Sequence, residues 1–305
     1  MKSFKMFSKV IRKKVFAESE EGYFSYLELE GVDKSEPLVF FHATGLNCET
    51  YLDFLEKVYL MLDSKKTIIA LDQRGHGKTT LTADPDRLKS WSQYALDADV
   101  FLRKMNITSA IFMGHSMGSI VASEVIKRGD FKVSHLIMLD PVLFYDPYTA
   151  IFSEIKNKFI LLRSNEKVVG AAKRRDKFES FEQATMHYEG RSMFKTWPLE
   201  SLKNYLSGGL IEEGSGLKLS CSPTWESKTF ETVSFNTYRT LNCLNLPTLI
   251  LRAEHFSTFS SKGMKYLSKK NNFEVIEVEG SHFFPIENSK KTSNLIQEFI
   301  SQNNG

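Results

Sequence analysis

Short, almost wholly apolar runs divide the first half of the chain and alternate with amphipathic segments. Five of these runs have the length and composition of strands: residues 23–29, 38–42, 67–71, 110–113 and 135–139. Between them, apolar positions recur at helical spacing in residues 51–62 and 94–102. Continuous apolar runs bounded by turn residues are typical of strands buried on both faces of a parallel sheet. The pattern therefore predicts the α/β class, with a doubly wound, mostly parallel sheet.

The alternation stops after the Asp-Pro pair at residues 140–141. Residues 143–244 are rich in aromatic and charged side chains and mostly helical in character. A block of about 100 residues is too long for a loop within one domain, so it predicts a helical cap inserted over the strand ends. Strand and helix patterns then resume and continue to the C-terminus. The predicted organisation is an α/β core, residues 1–142 and 245–305, with a cap at residues 143–244.

Composition and charge narrow the range of partners. The net charge is +3 and no basic stripe with interleaved aromatics is present, so a small molecule rather than a nucleic acid is the expected partner. Three widely spaced cysteines without a CxxC arrangement argue against a disulfide framework or a metal site and favour the reducing cytoplasm. No run of eighteen apolar residues occurs, so stable membrane insertion is not expected. The sequence implies no cofactor and leaves the oligomeric state open.

The N-terminus is basic. Six lysines and arginines precede the first acidic residue, Glu18, without the uninterrupted apolar stretch of a secretory signal. We interpret this segment as a solvated leader before the first strand, since charge runs usually face water. A short amphipathic helix on an anionic surface is the alternative.

The strongest chemical signal is the sequence GHSMG at residues 114–118, between an apolar run and a helical pattern. A serine on a sharp strand-to-helix turn projects its hydroxyl above the sheet, at the positive end of the next helix. Glycines two positions away on either side permit that strained turn. Ser116 is therefore the predicted nucleophile.

A general base and an oxyanion hole can be assigned to two further segments. His282 follows the last predicted strand, and a serine hydroxyl needs a base whose pKa lies near neutrality. The sequence HATG at residues 42–45 closes an early strand, where backbone N–H groups can bind the oxyanion of a tetrahedral intermediate. The predicted donors are the N–H groups of Thr44 and Met117, with His42 as an orienting residue beneath the loop.

Four motifs resemble those of the α/β-hydrolase superfamily: HATG at residues 42–45, DQRGHG at 72–77, GHSMG at 114–118 and GSHFFP at 280–285. The resemblance covers approximately residues 13–142 and 245–302, and not the cap. It implies the eight-stranded sheet of the α/β-hydrolase fold. In relatives the DxRGHG segment mainly shapes the site, so Asp72, Arg74 and His76 receive no catalytic role.

The third member of the triad departs from the usual pattern. Relatives usually carry the acid in a G-x-x-D turn after the seventh strand, where this chain has Phe256 at the aspartate position. Asp140 ends the sixth predicted strand, and some relatives use an acid there. Glu254 lies in the usual loop, two positions early. We favour Asp140, because a strand-end carboxylate is held more rigidly than one on a loop.

These residues predict a serine hydrolase that cleaves a carboxylic ester or thioester of a small, largely apolar substrate through an acyl-enzyme on Ser116. The apolar preference follows from aromatics in the predicted cap: Phe144, Tyr145, Tyr148, Phe152, Phe159, Phe178, Phe181, Phe194, Trp197 and Trp225. The basic residues at 167 and 173–175 are interpreted as a solvated helix face, and binding of an anionic substrate group is the alternative. The alternatives are hydrolysis of a carbon–carbon bond of the β-diketone type and a slow, ligand-binding hydrolase homologue.

Overall fold

A computed structural model describes residues 10–18, 20–144, 166–234 and 237–303. Its main sheet has eight strands, numbered in chain order: β1 (Val10–Phe16), β2 (Tyr23–Leu29), β3 (Asp33–Phe41), β4 (Lys66–Leu71), β5 (Ser109–His115), β6 (Lys132–Leu139), β10 (Thr248–Ala253) and β11 (Phe273–Val278). The order across the sheet is β1-β2-β4-β3-β5-β6-β10-β11. β1 and β2 pair antiparallel with their neighbours, and all other pairs are parallel. The predicted eight-stranded, mostly parallel sheet is confirmed.

Helices cover both faces of this sheet, which explains the continuous apolar runs. Alternate residues of a strand point to opposite faces, so Phe40 packs in one core and Phe41 in the other. The Phe40 core includes side chains of α1 (Leu52–Met61) and α11 (Ser289–Asn303). The Phe41 core includes α2 (Ser92–Lys104), α3 (Met117–Arg128) and α9 (Ser261–Leu267), while the short α10 (Phe284–Glu287) precedes α11. None of the helices in the described ranges is long and apolar enough to cross a bilayer.

The chain between β6 and β10, here called the insertion (residues 143–244), is described at residues 143–144, 166–234 and 237–244. Its described residues contain five α-helices: α4 (Glu166–Ala172), α5 (Phe181–Tyr188), α6 (Leu199–Gly209), α7 (Pro223–Glu231) and α8 (Thr237–Asn242). A short 3-10 helix spans Ser192–Thr196. It also contains three short strands: β7 (Lys177–Phe178), β8 (Leu210–Glu213) and β9 (Gly216–Leu219).

The three strands form an antiparallel sheet in the order β7-β9-β8, an addition to the mostly helical character expected from the sequence. β8 and β9 are joined by a two-residue turn, Gly214-Ser215, with Gly214 at φ +61°. Glycine at the first position of such a turn matches the right-handed twist of a hairpin. This local signal was present in the sequence.

The interpretation of the basic N-terminal segment as a solvated leader was wrong for residues 10–16, while residues 1–9 lie outside the described residues. Residues 10–16 form β1, which pairs with β2 along its whole length. The Arg12 guanidinium forms ion pairs with buried Asp72 at 2.6 Å and with Glu49 at 2.7 Å. Because these charges are paired inside the fold, the charge run does not simply face water.

Candidate active site

Ser116 lies on a strained turn between β5 and α3. Its backbone has φ 56° and ψ −117°, a conformation that L residues rarely adopt, and its side chain is buried but for a small exposed fraction. A Cβ on Gly118 would overlap the Phe41 carbonyl, and a Cβ on Gly114 would overlap the backbone of Gly118. Both flanking glycines are therefore required by close backbone approach. The turn has the geometry expected from GHSMG.

His282 follows β11 and is held by a carboxylate from a different part of the chain. Its Nδ1 lies 2.6 Å from Oδ2 of Asp140 and 3.5 Å from Oγ1 of Thr258. Nδ1 donates to the carboxylate, which leaves Nε2 as the basic ring nitrogen. Ser116 and His282 line the same cavity.

The Asp140 carboxylate is fixed by donors from the loop after β10. Oδ1 accepts hydrogen bonds from Ala253 N at 2.9 Å and Ser257 Oγ at 2.5 Å, and Oδ2 accepts one from Thr258 N at 2.8 Å. Burial acts to raise the pKa of Asp140, but the hydrogen bonds from His282, Ser257 and Ala253 outweigh it and hold the pKa below its ordinary value. Asp140 is thus an ionised partner for His282.

Glu254, the alternative acid, lies elsewhere. Nearly half of its side chain is exposed, and its carboxylate lies 3.8 Å from His255 rather than near His282. Phe256, at the position usual for the acid, is 89% exposed with φ 54°. The two residues that follow it, Ser257 and Thr258, bind the Asp140 carboxylate instead. The structure brings Asp140, and not Glu254, to the histidine.

Two buried histidines hold the HATG loop. His42 Nδ1 donates to Ala43 O at 2.8 Å, and its Nε2 accepts from Gln73 N at 2.9 Å. His76 Nε2 accepts from Gly45 N at 3.0 Å. Burial lowers the pKa of both histidines, that of His76 to about 3, so both act as neutral rings. His42 and His76 therefore fix the loop without carrying charge.

The two residues predicted to supply oxyanion donors lie side by side. Thr44 Oγ1 is 3.3 Å from Met117 Sδ, and Thr44 lines the cavity together with Ser116. Met117 is the first residue of α3, so its N–H has no acceptor within the helix and lies at the positive end of the helix dipole.

A chain of hydrogen bonds that the sequence did not predict links the HATG loop to His282. Ala43 N–H donates to Tyr51 Oη at 3.3 Å, Tyr51 lies 2.6 Å from His115 Nδ1, and His115 Nε2 lies 2.8 Å from the His282 carbonyl. Since the His282 carbonyl can only accept, Nε2 carries the proton, and Tyr51 must donate to Nδ1. Burial lowers the pKa of His115 to about 3, which keeps this ring neutral. The sequence showed Tyr51 only as one apolar position of a helix.

The DQRGHG segment contributes buried ion pairs around the site. Asp72 accepts from Arg12, from Cys48 N at 2.8 Å and from Lys78 N at 3.0 Å. Arg74 makes a bidentate pair with Asp97, with both N–O distances at 2.7 Å. These contacts connect β1, the HATG side of the sheet and α2, in line with the shaping role that the resemblance implied.

The cavity has a volume of about 700 Å³ and receives side chains from the core and the insertion. Of the aromatics named from the sequence, Phe144 and Phe194 line it, whereas Phe178, Trp197 and Trp225 are buried in packing and Phe181 is partly buried. Tyr145, Tyr148, Phe152 and Phe159 lie outside the described residues. In the described part of the chain, no group of three or more His, Cys, Asp or Glu side chains could hold a metal ion.

The basic residues at 167 and 173–175 do not form only a solvated helix face, as the sequence was interpreted. Lys167, Lys173, Arg174 and Arg175 all line the cavity, as does Arg191. Lys167, Lys173 and Arg175 are exposed, so they lie where the cavity opens to solvent. Only Lys167 lies on α4, because that helix ends at Ala172 and residues 173–175 follow it, so the predicted helix face does not extend to those three residues.

Known proteins resemble this chain over most of its length. A family described as serine aminopeptidase, S33, matches residues 35–186. An abhydrolase domain-containing protein of Schizosaccharomyces pombe is 23% identical over 277 residues, which cover 88% of this chain and 94% of the relative. A 2-(acetamidomethylene)succinate hydrolase of Mesorhizobium japonicum is 24% identical over 265 residues, which cover 86% of this chain and 87% of the relative.

A similar architecture is found among solved structures. The crystal structure of an E-2-(acetamidomethylene)succinate hydrolase matches with a TM-score of 0.75 at 20% sequence identity, over 96% of this chain and 99% of that chain. At this identity the likeness concerns the fold. Because the matched family, the relatives and this structure agree with the sheet and elbow described above, the chain belongs to the α/β-hydrolase superfamily.

Proposed function

We propose that the protein is a serine hydrolase that cleaves a carboxylic ester or thioester through an acyl-enzyme on Ser116. The observation that carries this proposal is the 2.6 Å contact between Asp140 and His282 beside the cavity that Ser116 and His282 share. Acyl transfer needs a nucleophile on a strained turn and a histidine held in a fixed orientation. A protein with a purely structural role would need neither feature.

The proposed steps follow from the hydrogen-bond directions. Asp140 accepts the Nδ1 proton, so Nε2 of His282 takes the hydroxyl proton as Ser116 Oγ attacks the substrate carbonyl. The N–H groups of Thr44 and Met117 bind the oxyanion, and the positive end of α3 adds to their effect. His282 then returns the proton to the leaving oxygen or sulfur. Water attacks the acyl-enzyme with His282 again acting as the base.

The cavity supports a small acyl substrate. We assign the insertion the role of a cap, since Phe194, Tyr188 and Phe230 from it meet Ser116 and His282 across one cavity. The three cysteines form no disulfide in the described residues, which supports the cytoplasmic location expected from the sequence: Cys48, Cys221 and Cys243. The slow, ligand-binding alternative depended on a displaced acid, and the contact between Asp140 and His282 argues against it.

A fluorescent fluorophosphonate tests the proposal directly. Wild-type protein should be labelled rapidly, Ser116→Ala should not, and Ser123→Ala, which alters a buried serine elsewhere on α3, should be labelled like the wild type. Turnover of p-nitrophenyl acyl esters, acyl thioesters and a β-diketone then separates ester cleavage from carbon–carbon cleavage. Absence of both labelling and ester or thioester turnover in folded wild-type protein would refute the proposed function.

A further inference from the structure

A buried carboxylate with one free oxygen lines the cavity. Glu226, on α7, is only 2% exposed and belongs to the cavity wall. Its Oε1 lies 2.9 Å from Arg174 Nη2, whereas its Oε2 has no hydrogen-bond partner within the described residues. Burial raises the pKa of Glu226, and the nearby Arg174 charge opposes this shift. A buried carboxylate oxygen without a donor is costly in free energy. The described residues therefore leave one acceptor of this carboxylate without a donor.

The Glu226 carboxylate lies in the part of the cavity nearest the HATG loop. A Cβ on Gly45 would overlap Oε1 of Glu226, so the carboxylate packs directly on the residue after Thr44. Gly45 is held there by its hydrogen bond to His76. Because Thr44 is the proposed oxyanion donor, a substrate group that reaches Glu226 is attached close to the scissile carbonyl.

Arg174 fixes the carboxylate and restricts the kind of donor. Its side chain is 17% exposed, and its Nη1 also lies 3.4 Å from the Tyr205 hydroxyl. Lys167, Lys173 and Arg191 line the same cavity and add positive charge. This surrounding charge opposes entry of an ammonium group and favours a neutral donor.

We propose that Glu226, held by Arg174, is a subsite for a neutral hydrogen-bond donor of the substrate, an amide N–H or a hydroxyl adjacent to the scissile carbonyl. The assignment rests on the proposed serine hydrolase function and adds a substrate class to it. A site that hydrogen-bonds a substrate donor rejects the analogue without it, because its own polar group is then left unpaired.

Two esters of matched shape test this subsite: p-nitrophenyl N-acetylglycinate and p-nitrophenyl 4-oxopentanoate, in which CH₂ replaces N–H. Each kcat/KM is divided by the rate of that ester's uncatalysed hydrolysis. We expect the wild type to prefer the N–H ester by on the order of 10- to 100-fold, as for a hydrogen bond to a charged group. Glu226→Gln places an amide donor where an acceptor was, and its preference should fall to about one. Glu231→Gln, the same change on α7 but outside the cavity wall, should retain the wild-type preference.

Equal normalised kcat/KM values for the two esters in the wild type would overturn the subsite. Fluorophosphonate labelling of Ser116 in the same sample would show that the proposed function survives that result. If neither ester is hydrolysed, the unreactive pair N-acetylglycinamide and 4-oxopentanamide is titrated against Ser116→Ala by tryptophan fluorescence. Tighter binding of N-acetylglycinamide supports the subsite without turnover, and indistinguishable binding of the two amides overturns it.

Discussion

The Asp140 carboxylate contacts the His282 imidazole at 2.6 Å although 142 residues separate them in the chain. The contact is possible because β6 and β10 are neighbours in the sheet and Asp140 N donates to Leu251 O at 2.7 Å. The side chain of Asp140 thereby enters the loop after β10. There it accepts hydrogen bonds from Ser257 and Thr258.

Asp140→Asn should strongly reduce turnover, because an amide cannot hold His282 in the tautomer that keeps Nε2 basic. In serine proteases this change lowers kcat by about 10⁴-fold, and we expect a loss of about 10³- to 10⁴-fold in ester hydrolysis and fluorophosphonate labelling. The matched variant Glu254→Gln should stay within about twofold of the wild type, since an exposed carboxylate outside the site contributes little. A large loss in Glu254→Gln with an active Asp140→Asn would reverse the assignment.

Tyr51→Phe should lower kcat by about tenfold with little change in KM, because it removes the hydroxyl between Ala43 N–H and His115 and leaves both without a partner. Removal of the Tyr51 hydroxyl should displace the loop that carries His282 and should leave substrate binding unchanged. Tyr59→Phe is the control, since the Tyr59 hydroxyl donates to Glu30 O away from the site. Steady-state kinetics with a p-nitrophenyl ester measures both constants. A change confined to thermal stability would contradict a positioning role for Tyr51.

Gly118→Ala should destabilise the protein by several kcal/mol, in the upper range for single substitutions, because the added Cβ would overlap the Phe41 carbonyl. Gly170→Ala on α4 has open space around the new methyl group and should leave stability unchanged or raise it by about 0.5–1 kcal/mol. Urea unfolding of both variants provides the comparison. Equal stability of the two variants would show that the elbow has room for a side chain.

Stability should fall as the pH decreases from about 7 to 4, because the pKa values of His76 and His115 are about 3 in the folded protein and about 6.5 in the unfolded chain. Between these values the unfolded chain binds more protons, so acid favours unfolding. Each ring should contribute on the order of 2–3 kcal/mol between pH 6.5 and 4.5. The free energy of unfolding in urea should depend less on pH in His115→Gln than in the wild type. His255→Gln, which changes an exposed histidine, should keep the pH dependence of the wild type. Identical profiles for wild type and His115→Gln would contradict a neutral, buried ring.

Arg12→Gln should destabilise the protein by about 2–4 kcal/mol, because it leaves the fully buried Asp72 carboxylate without its cation. Lys13→Gln, one residue along β1, removes an ion pair with Glu28 in which the lysine is 39% exposed, and should cost less than about 1 kcal/mol. The free energy of unfolding in urea measures both. Equal losses of stability in the two variants would support the earlier interpretation that this basic segment is solvated and unpaired.

The local parts of the molecule could be predicted from the sequence. Apolar runs marked the strands buried on both faces, since each such strand needs apolar residues at every position. GHSMG marked the elbow, because close backbone approach admits only glycine at residues 114 and 118. The sequence also showed that the usual acid position holds Phe256, and it left Asp140 and Glu254 as the candidates.

The contacts between distant residues, in contrast, depend on how the strands and helices are arranged in space. Whether Asp140 or Glu254 reaches His282 depends on the strand order, which places β6 beside β10. The pairing of Arg12 with Asp72 and of Arg174 with Glu226, and the link from Tyr51 through His115 to His282, join segments far apart in the chain. Periodicity reports which face of one element is apolar, and it carries no information on which charged side chain another element brings to that face.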